Sequence, residues 1–331
     1  MTALGENKMI SKNMQNVFNI GLVPLISLDD ADDAVVLAQT LVKGGIPVAE
    51  VTFRTAAGLA AIEKMAAQVP EIIVGAGTVH DVEHARQAVA AGAKFIVTPG
   101  FNAAVVKWCI NNDVDVIPGT VSPADVEAAM AMGLDVCKFF PAEAYGGVKT
   151  LKAFSGPFGK MKFMPTGGVN EENMLEYFSL GNVAAVGGSF MVPAAAVKAK
   201  DWKKIEQLCL HIIGKMFGFE LAHVGINCTD AAQADSIAGR LSEIFLQEKA
   251  EYSGAYFAGN IAEVLKAPFL GEKGHLCIDT NDMVRAVAYF TRKGIKFNND
   301  TWIKDEQGRP QVVYLAEEIG GFCVHLRQKS K

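Results

Sequence analysis

The sequence predicts an α/β chain in two parts: a (β/α)8 TIM-type barrel over residues 1–216, then a smaller α+β domain of two βαβββ modules over 217–331. Three observations carry this expectation. Short β-rich apolar runs recur eight times, their starts about 20 to 28 residues apart, with helix-patterned segments between them. Polar and turn-forming residues gather at the C-terminal ends of those runs. Beyond residue 216 the pattern gives way to a self-similar pair of segments offset by 52 residues.

The eight runs are IGLVPLIS (20–27), VAEVTFR (48–54), IIVGAGTV (72–79), KFIVTPG (94–100), DVDVIPGT (113–120), DVCKFFPA (135–142), KFMPTGG (162–168) and NVAAVGGSF (182–190). Segments such as DDADDAVVLAQTLVKGG and HDVEHARQAVAAGA have helical periodicity and close on glycine or a small residue, as helix ends do. Nearly continuous apolar strands alternating with helices argue for a parallel sheet covered by those helices. The count alone also fits an open, doubly wound sheet. The polar rim at the strand C-termini leans toward the barrel, whose active sites lie on that rim.

A length of 331 residues favours two domains, and 50% apolar with 20% charged residues is an ordinary globular balance. A formal charge of −5 offers no footprint for nucleic acid or an anionic membrane. Six cysteines without CxxC spacing sit mostly in apolar runs and read as buried reduced thiols. The N-terminus lacks a basic stretch followed by a hydrophobic segment, and no apolar run reaches the ~18–20 residues of a spanning helix. The expectation is a cytoplasmic protein.

Chemistry concentrates on the rim. Lys138 lies inside VCKFFPA, an otherwise apolar run, on the face of Val136 and Phe140. Burial disfavours an ammonium, and a neutral amine attacks ketones to form imines; the plainer alternative is a strand-end lysine that snorkels to water. Glu50 and Arg54, four apart in AEVTFR, suit a proton shuttle and a carboxylate fork, or else a structural ion pair. Gly167-Gly168 and Gly187-Gly188-Ser189 close the last two runs, where consecutive glycines let backbone amides approach an anion, or simply make turns. Asn170 and Pro193 are placed to start the helices that follow.

LVKGGIPVAEVTFRT, VGAGTV, TPG, CKFFPAEAYGGVK, PTGGV and GGSFMVP, in this order, resemble the 2-keto-3-deoxy-6-phosphogluconate / 2-keto-4-hydroxyglutarate (KDPG/KHG) aldolase family across about residues 17–215. The resemblance implies a class I lyase, usually trimeric, that needs no cofactor for this reaction and releases pyruvate from a keto-acid phosphate. It makes Lys138 the imine-forming lysine and Glu50 the general acid/base. Arg54 and Thr78 would hold the pyruvyl carboxylate, Pro99 and Phe140 would shape the pocket, and Thr166 would meet a substrate hydroxyl. Gly167, Gly168 and Ser189 would hold the distal phosphate. Preference among the phosphogluconate substrate, its galactonate epimer and 4-hydroxy-2-oxoglutarate stays open.

In the last third, HVGINCTD (223–230) aligns with HLCIDTND (275–282), and each is followed by a helix-like and then strand-like stretch. An internal duplication of this kind is an organisational signal. The paired modules resemble the vicinal-oxygen-chelate (glyoxalase/dioxygenase) superfamily over about 217–328. By that resemblance His223, Glu263, His275 and His325 are candidate ligands for a divalent metal, with His325 where glutamate is more usual. Each histidine alone also reads as a hydrogen-bonded core residue. The domain is therefore a second metal-dependent enzyme, or a small-molecule-binding or oligomerisation module.

Overall fold

The computed structural model describes residues 11–330. The chain divides into two compact units between Ile213 and Gly214, inside the helix Trp202–Phe217; the sequence had placed the division three residues later.

The first unit contains strands β1 (Leu22–Ile26), β2 (Val48–Thr52), β3 (Ile73–Gly77), β4 (Phe95–Val97), β5 (Asp115–Ile117), β6 (Gly119–Thr120), β7 (Val136–Phe139), β8 (Lys162–Pro165) and β9 (Val186–Gly188). Helices separate them, except between β5 and β6. Every pairing is parallel, in the orders β5-β4-β3-β2-β1-β9 and β6-β7-β8. Bridges Phe163–Val183 and Thr166–Gly187 link the β8 and β9 segments. The result is a barrel-like α/β domain whose pairings lead from β1 round to β9 and back.

The run read as one fifth strand is two pieces. Pro118 has no N–H to give the ladder and separates β5 from β6, although its carbonyl accepts from Lys138 N at 2.9 Å. Helix starts follow their sequence signals. Asp81 caps Val82–Ala90 through His84 N, and Ser122 with Asp125 forms a capping box on Pro123–Ala131. Such caps are worth about 1 kcal/mol each. β2, β4 and β7 are buried along their whole length, as near-continuous apolar strands require. Phe95, Phe139 and Phe163 are among the largest fully buried side chains.

The second unit forms one eight-stranded mixed sheet. β10 (Glu220–Asn227), helix Ala231–Phe245, β11 (Lys249–Glu251), β12 (Ala255–Ala258) and β13 (Ala262–Leu265) make its first half. β14 (His275–Thr280), helix Met283–Arg292, β15 (Ile303–Lys304), β16 (Pro310–Ile319) and β17 (Phe322–Gln328) make its second. The order β11-β12-β13-β10-β14-β17-β16-β15 places the two first strands side by side and antiparallel. β13 runs parallel to β10, and β17 parallel to β14, so each half repeats the same βαβββ scheme.

Alternation sorts the two faces of this sheet. Ala262 and Val264 pack with Ala234 and Ala238 of the first helix. Glu263, between them, points the other way, where it meets His223 and His275. Among the described residues, no helix is long and apolar enough to cross a membrane.

Candidate functional site

In the first unit, β7 and β2 bring Lys138 and Glu50 together although 88 residues separate them. Lys138 Nζ donates to Glu50 Oε1 at 3.0 Å, with side-chain exposures of 5% and 0%. Two charges taken so far from water persist only when paired. The second carboxylate oxygen, Glu50 Oε2, is buried and has no hydrogen-bond partner, so it stays available to a reacting molecule. Lys138 Nζ also lies 5.4 Å from the centroid of the Phe140 ring.

That ring opens onto a cavity of about 410 Å³, of a size suited to a small molecule. Arg54, Phe140, Thr166, Gly167, Gly168 and Ser189 all line it. Lys138 and Glu50 are not themselves in this lining; Lys138 approaches it at the Phe140 ring. Arg54 is not on strand β2, as its spacing from Glu50 suggested; β2 ends at Thr52 and Arg54 is an exposed residue of the following turn. The carboxylate of Glu50 is thus bound to Lys138, and the Glu50–Arg54 ion pair left open above is not formed.

Thr78 and Pro99 are not in the cavity lining. Thr78 follows Gly77, which packs on Glu50, and holds a φ of 59°, a left-handed conformation that costs a β-branched residue about 1–3 kcal/mol. Strain of this kind concentrates at functional sites. Pro99 carbonyl oxygen lies 2.2 Å from where a Cβ at Gly119 would stand, so glycine there lets the two strand ends close up.

The Gly167-Gly168 turn has φ values of 92° and 83°, open to glycine at no steric cost. It is fixed from below. Ala142 N and Glu143 N donate to Thr166 and Gly167 carbonyls at 2.8 and 3.0 Å, and Tyr177 Oη hydrogen-bonds Glu143 Oε1. Asn170 does not cap the next helix. It accepts from Glu172 N and Asn173 N in the preceding turn, and Asn173 stands at the N-cap of Met174–Phe178. Pro193 is the residue just before Ala194–Lys198. Sequence reasoning missed Ser27 and Thr52 in the cavity wall. Ser27 is the first residue past β1, where the rim rule that found the others also applies.

Residues 14–208 match the family model described as KDPG and KHG aldolase. The chain belongs to the KDPG and KHG aldolase family. A 2-dehydro-3-deoxy-phosphogluconate aldolase of Treponema pallidum (strain Nichols) is 42% identical over 200 residues, covering 60% of this chain and 95% of the relative. A KHG/KDPG aldolase of Escherichia coli (strain K12) is 42% identical over 187 residues, covering 56% and 88%. The solved KDPG aldolase of Legionella pneumophila, with pyruvate captured as a covalent carbinolamine intermediate, matches with a TM-score of 0.59 at 39% identity, covering 61% of this chain and 98% of that one. Membership of this lyase family covers the first unit.

In the second unit, all four candidate ligands face one side of the sheet. His223 Nε2 and His275 Nε2 lie 3.1 and 3.2 Å from Glu263 Oε2, and 3.3 Å from each other. Ligand atoms at ~2.0–2.2 Å from one divalent ion stand ~3.0–3.4 Å apart in octahedral or tetrahedral arrangements, so this spacing fits such an ion. His325 lies close by, its ring 5.0 Å from that of His275 and stacked on Tyr314 at 4.5 Å. Both nitrogens of His325, and Nδ1 of His275, are buried without a hydrogen-bond partner.

Burial holds the His325 imidazole down at about 3, helped by the neighbouring His275 and His223. Burial would raise the Glu263 carboxyl, but hydrogen bonds from His223 and His275 outweigh it and bring it to about 2. A neutral imidazole and an ionised carboxylate are the forms that ligate metals. The sequence missed one requirement of this arrangement. A Cβ at Gly225 would fall 2.0 Å from the His275 ring, so glycine is what seats that ring.

Proposed function

We propose that the first unit is a Schiff-base aldolase that cleaves 2-dehydro-3-deoxy-6-phosphogluconate to pyruvate and glyceraldehyde 3-phosphate, and 4-hydroxy-2-oxoglutarate to pyruvate and glyoxylate. The observation that carries this reading is the buried 3.0 Å contact between Lys138 and Glu50. Lys138 Nζ passes a proton to Glu50 and attacks C2 of the substrate; Glu50 returns a proton to the departing C2 hydroxyl, and loss of water gives the imine with Glu50 ionised again. Glu50 then takes the C4 hydroxyl proton, directly or through water. As the C3–C4 bond breaks, its electrons move onto the imine to form an enamine, which is protonated at C3 and hydrolysed to pyruvate.

Arg54 and Thr78 hold the pyruvyl carboxylate, the former as a planar fork. Thr166 meets a substrate hydroxyl, Phe140 shapes the pocket, Pro99 acts from outside the lining by fixing the strand end against Gly119, and Gly167, Gly168 and Ser189 receive the phosphate through backbone and hydroxyl donors. The phosphogalactonate epimer is a competing substrate, distinguished by measuring cleavage of all three keto acids. The family resemblance further supports a cytoplasmic homotrimer, tested by sedimentation. Borohydride reduction in the presence of pyruvate tests the mechanism: a pyruvyl adduct on Lys138, absent in Lys138→Ala, is expected. An unmodified wild-type chain removes the imine.

A second reading concerns the other unit. Its 3.1–3.3 Å cluster favours a divalent metal held by His223, Glu263, His275 and His325, in a domain resembling the vicinal-oxygen-chelate superfamily. Such an ion would supply Lewis acidity to a small bound molecule. Metal analysis after dialysis against candidate ions tests it, and retention at less than a tenth of an equivalent would dismiss it.

A further inference from the structure

We propose that Cys277 is a thiolate donor to the ion of the second unit, which makes the site selective for borderline ions such as Zn²⁺ or Co²⁺ over Mg²⁺ or Ca²⁺. The inference rests on the reading that this cluster binds a metal, and adds a ligand and a class of ion to it. Cys277 stands two residues after His275 on β14, hence on the same face of the sheet. It is also the register partner of His325 on β17 and of His223 on β10. One cross-strand row therefore presents imidazole, thiol and imidazole.

The geometry supports the assignment. The ligating atoms of His223, Cys277 and His325 all lie within 4.8 Å of one another, as do those of His223, Glu263 and His275. The two triads share His223. Cys277 is fully buried, and His325, which faces it, leaves both ring nitrogens without a partner. A buried polar ring with neither nitrogen satisfied is costly unless something occupies it. An ion bound by His223, Cys277 and His325 satisfies the imidazole and replaces the S–H bond by an S–metal bond, the proton leaving to solvent.

The two imidazoles and one thiolate of the triad that contains Cys277 are a nitrogen- and sulfur-rich set. Thiolate and imidazole suit Zn²⁺ and Co²⁺, whereas Mg²⁺ and Ca²⁺ require oxygen. Cys323 offers an internal contrast. It lies on the same face of β17 but belongs to neither triad, and its Sγ is 4.0 Å from Glu318 Oε1.

Absorption spectroscopy of the full-length protein titrated with Co²⁺ tests this. The expected result is a near-ultraviolet thiolate-to-cobalt charge-transfer band together with visible ligand-field bands. Cys277→Ser should lose the charge-transfer band while keeping the ligand-field bands, and should bind Co²⁺ at least tenfold more weakly. Cys323→Ser should keep both. Ligand-field bands without the charge-transfer band in the wild type, or a band that survives in Cys277→Ser, overturns the thiolate assignment and leaves the metal reading standing. No Co²⁺ spectrum at all defeats the metal reading itself. Circular dichroism of Cys277→Ser establishes that a lost band is not lost folding.

Discussion

A Cβ built on Gly77 would lie 2.4 Å from Glu50 Oε1, the oxygen that accepts from Lys138 Nζ. Glycine at the end of β3 therefore sets where the Glu50 carboxylate rests. Gly77→Ala is expected to displace that carboxylate and lower kcat by about 10²-fold, the scale on which positioned acid–base groups act. Borohydride trapping of pyruvate on Lys138 should persist, because the amine remains. Steady-state kinetics with parallel trapping measures both, and full activity in Gly77→Ala would show that the carboxylate position is not critical.

Glu50→Gln keeps the size of the side chain and removes its basicity. We expect kcat to fall by about 10²- to 10⁴-fold. The amide leaves Lys138 without a buried counter-charge, so a loss of thermal stability accompanies the loss of rate. Kinetics and a melting curve on one preparation separate the two effects.

Glu143 packs beneath the Gly167-Gly168 turn, the one proposed to receive the phosphate, and away from Lys138. A Cβ on Gly168 would strike the Glu143 side chain at 2.4 Å, and Tyr177 holds that side chain from behind. Glu143→Ala should therefore raise KM several-fold for the phosphorylated keto acid and leave kinetics with 4-hydroxy-2-oxoglutarate nearly unchanged. Equal losses on both substrates would place the effect elsewhere.

Burial pushes the Cys137 and Cys209 thiols from about 9 up to about 12. A group whose folded value is raised contributes fully below its unfolded value, here near 9, and loses that contribution as pH climbs toward 12. Cys209→Ala should flatten the decline of stability across that window. Denaturant titrations of both proteins at several alkaline pH values check the slope, and identical slopes would refute the assignment.

If the second unit binds a divalent ion, added metal stabilises its folded form by mass action, about 2.7 kcal/mol at a hundredfold excess over Kd. His223→Ala and His275→Ala should each abolish the metal-dependent rise in melting temperature. A rise that survives both would point to binding elsewhere.

Much of this was legible in the sequence because the chemistry and the folding signal coincide. Lys138 stood out as a charge inside an apolar strand, and the glycine pairs as turns at strand ends. The duplicated His-x-x-Ile pattern marked the halves of the second sheet and two of its histidines, His223 and His275. What was not legible depends on contacts between distant segments. Arg54 shares a spacing with Glu50 but not a strand, because β2 stops at Thr52. Pro118 splits a run whose hydrophobicity alone reads as continuous. The seating of His275 over Gly225 and the pairing of Tyr177 with Glu143 each join strands or helices that no local pattern relates.

The antiparallel seam between β10 and β14 has one more consequence. His223 comes from one half of the duplicated sheet, and His275 and His325 from the other. Neither half alone owns a complete ligand set, so an ion there would act as a clasp whose occupancy registers whether the two repeats have met. Expressed as separate pieces, the repeats would regain metal affinity only on reassociation, and the ion would serve as the reporter of that union.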